Sequence, residues 1–434
     1  MFAMKTISRT AAALAAAAVL FVAAGPAAAQ EPDPPVETST PFSTPNTDDC
    51  PQATSPPPAI DLSEVPKPGE SAPTPLPVPA DAVGGEQLGY CGVVVPDGAP
   101  ALPEDISATG WVLSDLDSGD VIAAKDPHGR YRPASTIKIL LALVALDELD
   151  LNTTVVATAE DANAEGSAVG IGKGGVYSNF QLMQGLVMAS GNDAAHALAS
   201  QMGGDDATVA KMNAKARSLG ALDTRTATPS GLDGPGMSSS AYDLALFFRA
   251  AMENPTFAQL ISTETVQFPG FPKDPNIPDD VDRPGFTLSN DNQLLYNYDG
   301  AVGGKTGYTD DARQTFVGGA DKNDRRLAVT IMKGDVLPIR PWEQAARLLD
   351  YGFALPPGTS VGTLVPPESV GGVTSTRTAA PTLASPPDTP STAGERETSL
   401  EAGGDTAIRI GVAVVGGLVV IGLLLWARQL HRRR

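Results

Sequence analysis

Ser135 and Lys138 stand three residues apart, Ser190-Gly191-Asn192 follows about 55 residues after that serine, and Lys305-Thr306-Gly307 comes about 115 residues after Ser190. Together they hold what acyl transfer to a serine requires: a hydroxyl, a base, a proton relay and a cation for an anionic group. Ser135 comes directly after Pro133-Ala134 at the predicted start of a helix, where unpaired N–H groups and the helix dipole favour developing negative charge. Lys138 shares the serine's helical face, so its amine reaches the hydroxyl. To accept a proton near neutral pH that amine must titrate about 3 units below the reference ~10.4, roughly 4 kcal/mol of differential interaction, which burial and a second nearby cation can supply.

Ser190-Gly191-Asn192 interrupts two helical patterns and is predicted to form a tight turn facing the same site. The Ser190 hydroxyl can relay a proton to a leaving amine, and Asn192 offers a carbonyl and an amide to hold Lys138 or a substrate backbone. Lys305-Thr306-Gly307 falls on a predicted strand after Gly303-Gly304, where glycine lets a substrate backbone come close and a strand edge can hold an extended peptide. Lys305 and the Thr306 hydroxyl would bind a terminal carboxylate, and the N–H groups of Ser135 and Tyr308 would form an oxyanion hole. Taken singly, each string has a plainer reading: a capping serine with a solvated lysine, a helix break, and a solvated strand end.

The elements that must position these groups lie between about residues 105 and 355. Trp111-Val112-Leu113 and Val121-Ile122-Ala123 flank Asp117-Ser118-Gly119-Asp120, a hairpin signal. Ile137, Ile139, Leu140, Leu141, Val144 and Leu146 cover more than one helical face, which predicts a buried helix. Ser178 and Gln181 form a capping-box pattern ahead of Leu182, and a further helix is predicted over 207–219 with Gly220 as its stop. Short strands are predicted over 302–309, 315–320 and 327–332, with a closing helix over 342–352. Strands at both ends with helices between them predict one antiparallel sheet covered by helices, its two chain ends paired side by side.

Composition sets the remaining bounds. The chain has 434 residues with 44 Gly, 39 Pro and a formal charge of −20, which argues against a nucleic-acid partner. Residues 1–29 have the layout of a signal peptide with cleavage after Ala29, the alternative being a retained anchor. Residues 30–104 and 356–406 are rich in Pro, Ser and Thr and read as spacers. Within 407–427 the apolar run Ile410 to Ala427 is about 27 Å long as a helix and predicts a membrane span, with a buried core helix as the alternative. The basic tail 428–434, with Arg428, Arg432, Arg433 and Arg434, places the C-terminus in the cytoplasm and the catalytic strings outside the cell. Cys50 and Cys91 are the only cysteines; in an exported chain they are expected to pair, closing a loop worth ~4 kcal/mol, the alternative being two free thiols.

The set Ser-x-x-Lys, Ser-x-Asn, Lys-Thr-Gly is that of serine β-lactamases and penicillin-binding proteins. The surrounding strings 133–138, 190–194, Ser230-Gly231-Leu232-Asp233, 290–295 and 304–309 resemble those of the D-alanyl-D-alanine carboxypeptidases among low-molecular-mass penicillin-binding proteins. The resemblance implies an α+β, β-lactamase/transpeptidase-like fold with a helical subdomain. It implies that Ser135 forms an acyl ester with the penultimate D-Ala of a peptidoglycan stem peptide, that Lys138 accepts its proton, that Ser190 assists, and that Lys305 binds substrate. β-Lactams would acylate the same serine, and no cofactor is implied. A carboxylate-binding arginine expected before the last helix matches Arg340 loosely. Some relatives carry a further β-rich domain, whereas this chain passes from Phe353 into a Pro-rich stretch.

Three rival readings differ in testable ways. A serine β-lactamase needs a deacylating base, commonly in a Glu-x-x-Leu-Asn string between the second and third motifs. Here Glu148-Leu149-Asp150-Leu151-Asn152 precedes Ser190, where it is expected to end the first helix. A D,D-endopeptidase acylates the same serine from a cross-linked substrate, and a non-catalytic sensor keeps only the scaffold. A zinc peptidase lacks ligands: the histidines are His128, His196 and His431, without His-Glu-x-x-His, and His196 is expected on a helix surface.

Overall fold

The computed structural model describes residues 42–365. The predicted leader, span and basic tail lie outside the described residues. Among the described residues no helix is long and apolar enough to cross a membrane.

In chain order the strands are β1 (Val93–Val94), β2 (Gly110–Asp115), β3 (Asp120–Lys125), β4 (Thr154–Val156), β5 (Val176–Ser178), β6 (Thr265–Phe268), β7 (Phe286–Ser289), β8 (Ala301–Thr309), β9 (Arg313–Lys322), β10 (Arg325–Gly334) and β11 (Gly362–Thr363). The helices are α1 (Lys138–Glu148), α2 (Ala159–Ala162), α3 (Asn179–Met188), α4 (Asn192–Gln201), α5 (Asp205–Ser218), α6 (Ala241–Met252), α7 (Pro255–Ser262), α8 (Gln293–Asn297) and α9 (Pro341–Ala354). A seven-stranded sheet runs β1-β3-β2-β10-β9-β8, with β11 also on β3, and its paired strands are antiparallel.

Period-two alternation builds both faces of this sheet. On β2 and β10, Trp111, Leu113, Leu327, Val329 and Ile331 pack in one core with Leu348 and Leu349 of α9. Their neighbours Val112, Ala328 and Met332 join a second core with Leu140, Phe247 and Phe248 of α1 and α6. The two chain ends of the domain do pair, Val112 opposite Thr330. The capping box of Ser178 with Gln181 forms and starts α3. α1 is buried from Lys138 through Ala145, as an all-round apolar helix must be.

The spacer reading fails for residues 42–103. Pro-rich chain forms no core of its own, and this segment borrows the domain's: Val83, Leu88 and Val94 enter the core beside α6, and β1 extends the sheet. Its carbonyls, which an extended backbone leaves without internal donors, are met by arginines. Arg130 donates to Thr54 O at 2.8 Å, Leu76 O at 2.5 Å and Pro77 O at 2.9 Å, and its Nε to Asp223 at 3.1 Å. Cys50 and Cys91 are joined in a disulfide, closing the arm into a loop. The second spacer also begins later than composition suggested. Residues 356–365 return to the sheet as β11, with Val361 and Leu364 buried and Tyr242 Oη donating to Thr363 O at 2.9 Å.

Candidate active site

Ser135 lies on a 3-10 turn, Ala134–Ile137, and α1 proper starts only at Lys138. The shift from the predicted helix start has a cause in the preceding residue: Ala134 takes a left-handed backbone, φ 46°. Pro133 O is the anchor of this turn, accepting from Thr136 Oγ1 at 2.5 Å and from Thr315 Oγ1 of β9 at 2.8 Å. Gly231 lets the Ser230 loop close on the same turn, since a Cβ there would stand 2.1 Å from Ala134 O.

The Lys138 amine is buried and has three oxygen neighbours: Ser135 Oγ at 2.8 Å, Asn192 Oδ1 at 2.7 Å and Ser230 O at 2.5 Å. Asn192 is oriented by its other end, Nδ2 donating to Glu165 O at 2.6 Å, so its oxygen faces the lysine. Two of the three neighbours are carbonyls and can only accept. A neutral amine has two N–H groups to satisfy them, which leaves its lone pair for the Ser135 hydroxyl proton. Burial pushes the Lys138 amine well below the usual lysine range, the Lys305 cation adds to this, and Asp291 and Asp193 oppose it.

Ser190-Gly191-Asn192 forms the turn between α3 and α4, with Ser190 at φ 60° and buried. Asp193, fully buried, secures it by accepting from Val169 N at 2.9 Å, Gly170 N at 2.8 Å and Ile171 N at 3.1 Å. That carboxylate fixes the loop before β5 against the Asn192 turn, and Asn192 N itself donates to Ser167 O at 2.6 Å.

β8 is an edge strand, paired on one side with β9. Its glycines do a different job from the predicted one. A Cβ on Gly303 would stand 2.3 Å from Ile261 O of α7, and one on Gly304 would stand 2.3 Å from Val317 O and 2.8 Å from Asn292 Nδ2, so both admit the protein's own backbone and side chains. Gly307 is the one that admits the site: its Cβ would stand 2.3 Å from Thr315 Oγ1, 2.9 Å from Ser135 N and 3.0 Å from Thr136 N. Thus the Ser135 amide and the strand that carries Tyr308 lie against each other. Lys305 is buried, its amine lowered by burial with Asp291 opposing, and it donates to Thr306 O at 2.9 Å. Thr306 Oγ1 donates to Asp291 Oδ2 at 3.1 Å. The exposed Tyr308 side chain turns away to Asp310, at 2.7 Å.

A cavity of about 530 Å³ opens beside β8, lined by Thr306, Asp291, Gln314, Arg340 and Trp342. Arg340, the loosely matched arginine, therefore shares a wall with Thr306. Sequence reasoning gave no role to Ser230, Asp291, Asp193 or Thr315. A backbone carbonyl such as that of Ser230 carries no side-chain signature; Asp291 and Asp193 did stand inside strings that carry the resemblance. Glu148 ends α1 and pairs with Lys211, away from Lys138. His196 sits part-exposed on α4 with Nδ1 2.7 Å from Asp161 Oδ1.

Residues 97–336 match the D-alanyl-D-alanine carboxypeptidase family profile. The chain belongs to this family. Among relatives, D-alanyl-D-alanine carboxypeptidase DacB2 of Mycobacterium tuberculosis is 51% identical over 275 residues, covering 62% of this chain and 90% of that protein. DacF of Bacillus subtilis is 32% identical over 254 residues, 57% of this chain and 62% of the relative. Among solved structures, an evolved penicillin-binding protein homologue from M. tuberculosis superposes with a TM-score of 0.58 at 50% identity, covering 62% of this chain and all of that one. The DD-transpeptidase of Streptomyces K15 gives 0.53 at 28% identity, covering 59% of this chain and 100% of its own. For a D-alanyl-D-alanine carboxypeptidase, the contact of the part-exposed Ser135 with the buried Lys138 and Asn192 is the part of the geometry that bears most directly on chemistry.

Proposed function

We propose that the protein removes the terminal D-alanine from peptidoglycan stem peptides through an ester on Ser135. The observation that carries this is the Lys138 amine held by two acceptor-only carbonyls with Ser135 Oγ at 2.8 Å. Ser135 Oγ attacks the carbonyl of the penultimate D-Ala while its proton passes to Lys138. The peptide C–N bond breaks, and the proton returns through Ser190 to the leaving nitrogen, releasing D-alanine. Water then attacks the ester, its oxygen ends on the new carboxylate, and Ser135 recovers its proton. The N–H groups of Ser135 and Tyr308 receive the oxyanion. Lys305, Thr306 and Arg340 bind the substrate's terminal carboxylate, and the edge of β8 beside Gly307 holds its backbone. β-Lactams acylate the same oxygen and leave slowly, a reading supported by the sequence between Ser190 and Lys305, which has no Glu-x-x-Leu-Asn string.

The test is D-alanine release from a pentapeptide alongside labelling by a fluorescent penicillin. Ser135→Ala is expected to abolish both, and release surviving in that variant removes Ser135 from its role. The Streptomyces K15 neighbour is a DD-transpeptidase, so a second reading passes the acyl group to an amine. Products from cross-linked and uncross-linked muropeptides separate carboxypeptidase, endopeptidase and transpeptidase action. For location, we propose export with a C-terminal single-pass anchor over 407–427 and a cytoplasmic tail over 428–434. The uncharged apolar run followed by arginines supports this, as does a disulfide, which suits an oxidising compartment. Protease shaving of intact cells that spares only the anchor and the tail is the expected result.

A further inference from the structure

The proline-rich arm lies ahead of the residues matched by the family profile, yet it reaches the loops that carry the catalytic groups. Arg132, three residues before Ser135 and 2% exposed, gives its Nε to the Glu64 carboxylate and its Nη1 to Pro57 O at 2.8 Å. Both partners belong to the arm. Asp311, three residues after Tyr308 in the turn between β8 and β9, is 7% exposed and accepts from Ile60 N at 2.7 Å. Its other oxygen has no hydrogen-bond partner among the described residues, so Ile60 N is the donor that fixes this carboxylate, with Arg132 and Lys333 adding longer-range attraction. The arm thus spans from the chain entering the nucleophile turn to the chain leaving the oxyanion strand.

We propose that residues 57–64 are a positioning strap for catalysis, holding Arg132 and Asp311 so that the Ser135 and Tyr308 amides keep their mutual geometry. This rests on the serine acyl-transfer reading. Without its two hydrogen-bond acceptors the Arg132 guanidinium would keep only the longer-range attraction of Asp311 and Asp233 and would turn to water. It would carry with it Pro133, whose carbonyl anchors Ser135's turn to Thr136 and Thr315. Without Ile60 N, Asp311 would likewise pull the end of β8 outward. The strap's own apolar side chains take no part, since Ile60 and Leu62 are exposed.

The full chain is assayed by single-turnover acylation with a fluorescent penicillin, resolving the maximal rate from the saturation constant, with a thermal melt for each variant. Glu64→Gln and Ile60→Pro are each expected to slow the maximal acylation rate about tenfold, the scale of a sub-ångström misplacement, with the saturation constant held within about twofold. Glu64→Asp is expected to recover most of the loss, and Leu62→Ala to behave as wild type. Ile60→Pro removes one N–H and keeps every charged side chain, so it decides the matter if Glu64→Gln does not fold. Wild-type acylation rates in the folded variants, or a loss seen only where the melt shows unfolded chain, would overturn the strap. A wild-type chain that takes no label on Ser135 would instead overturn the acyl-transfer reading itself.

Discussion

Placing a methyl group on Gly307 tests the central geometry most directly. In Gly307→Ala the new Cβ would stand 2.3 Å from Thr315 Oγ1 and 2.9 Å from Ser135 N, where ordinary contact begins at 3.4 Å. The Ser135 amide must therefore retreat by about half an ångström from the strand, and Thr315 by about twice that. Thr315 cannot simply rotate away without giving up its 2.8 Å hydrogen bond to Pro133 O. A misplacement of ~1 Å costs about 10²-fold, and losing one oxyanion donor costs about 10²–10³-fold. Acylation by a β-lactam should then fall about 10²-fold, or about 2.7 kcal/mol of transition-state stabilisation. Stability should fall by only about 1–3 kcal/mol, the usual range for overpacking. Gly352→Ala is the control: in α9 its Cβ would meet the flexible tips of Leu113 and Leu327, both at 2.9 Å, far along the sheet from the nucleophile. Stopped-flow acylation and urea unfolding of both variants separate a local effect from a general one. If Gly307→Ala acylates within about threefold of wild type, the close approach of strand and nucleophile is not what sets the rate.

The remaining predictions address charge and the arm. Lys305→Gln removes the cation that, after burial, does most to depress the Lys138 amine. The amine's pKa then rises, less of it is neutral at a given pH, and the rising limb of the acylation profile should move to higher pH; an unmoved limb would separate Lys305 from Lys138. Arg130→Met removes the donors to Thr54, Leu76 and Pro77 carbonyls and the guanidinium partner of Asp223, and should cost about 3–5 kcal/mol in urea unfolding. Replacing Cys50 and Cys91 together by serine opens a loop of sequence separation 41 and should cost ~4 kcal/mol by the same measurement, with a loss below ~1 kcal/mol showing that the arm holds by its arginine contacts alone.

Much of the catalytic geometry was legible because side-chain type and period encode it. The hairpin of β2 and β3, the buried α1 and the turn at Ser190 each follow from spacing of apolar residues and breakers. A lowered Lys138 amine was legible as a requirement, and the structure gives that direction, from burial first and the Lys305 cation second. What stayed hidden depends on partners far along the chain. Proline content at 42–103 correctly denies that segment a core of its own, but says nothing of Arg130 and Arg132 waiting to receive its carbonyls. Gly303, Gly304 and Gly307 look alike in sequence; only the packing of α7, β9 and the Ser135 turn tells which of them faces the site.

The pairing of Val112 with Thr330 joins strands separated by most of the domain, and Thr315 on β9 secures the turn that carries Ser135. Loop closure over that span must precede any reward from the contacts, so such a sheet forms late and as a whole. A nascent chain that has emerged only as far as α7 possesses the serine, the lysine and the asparagine with their partners Ser230 and Glu165, yet lacks Thr315 to secure the turn of Ser135 and the strand that carries Tyr308. Reactivity toward acyl donors therefore switches on with completion of the sheet, and a prematurely terminated product is chemically silent.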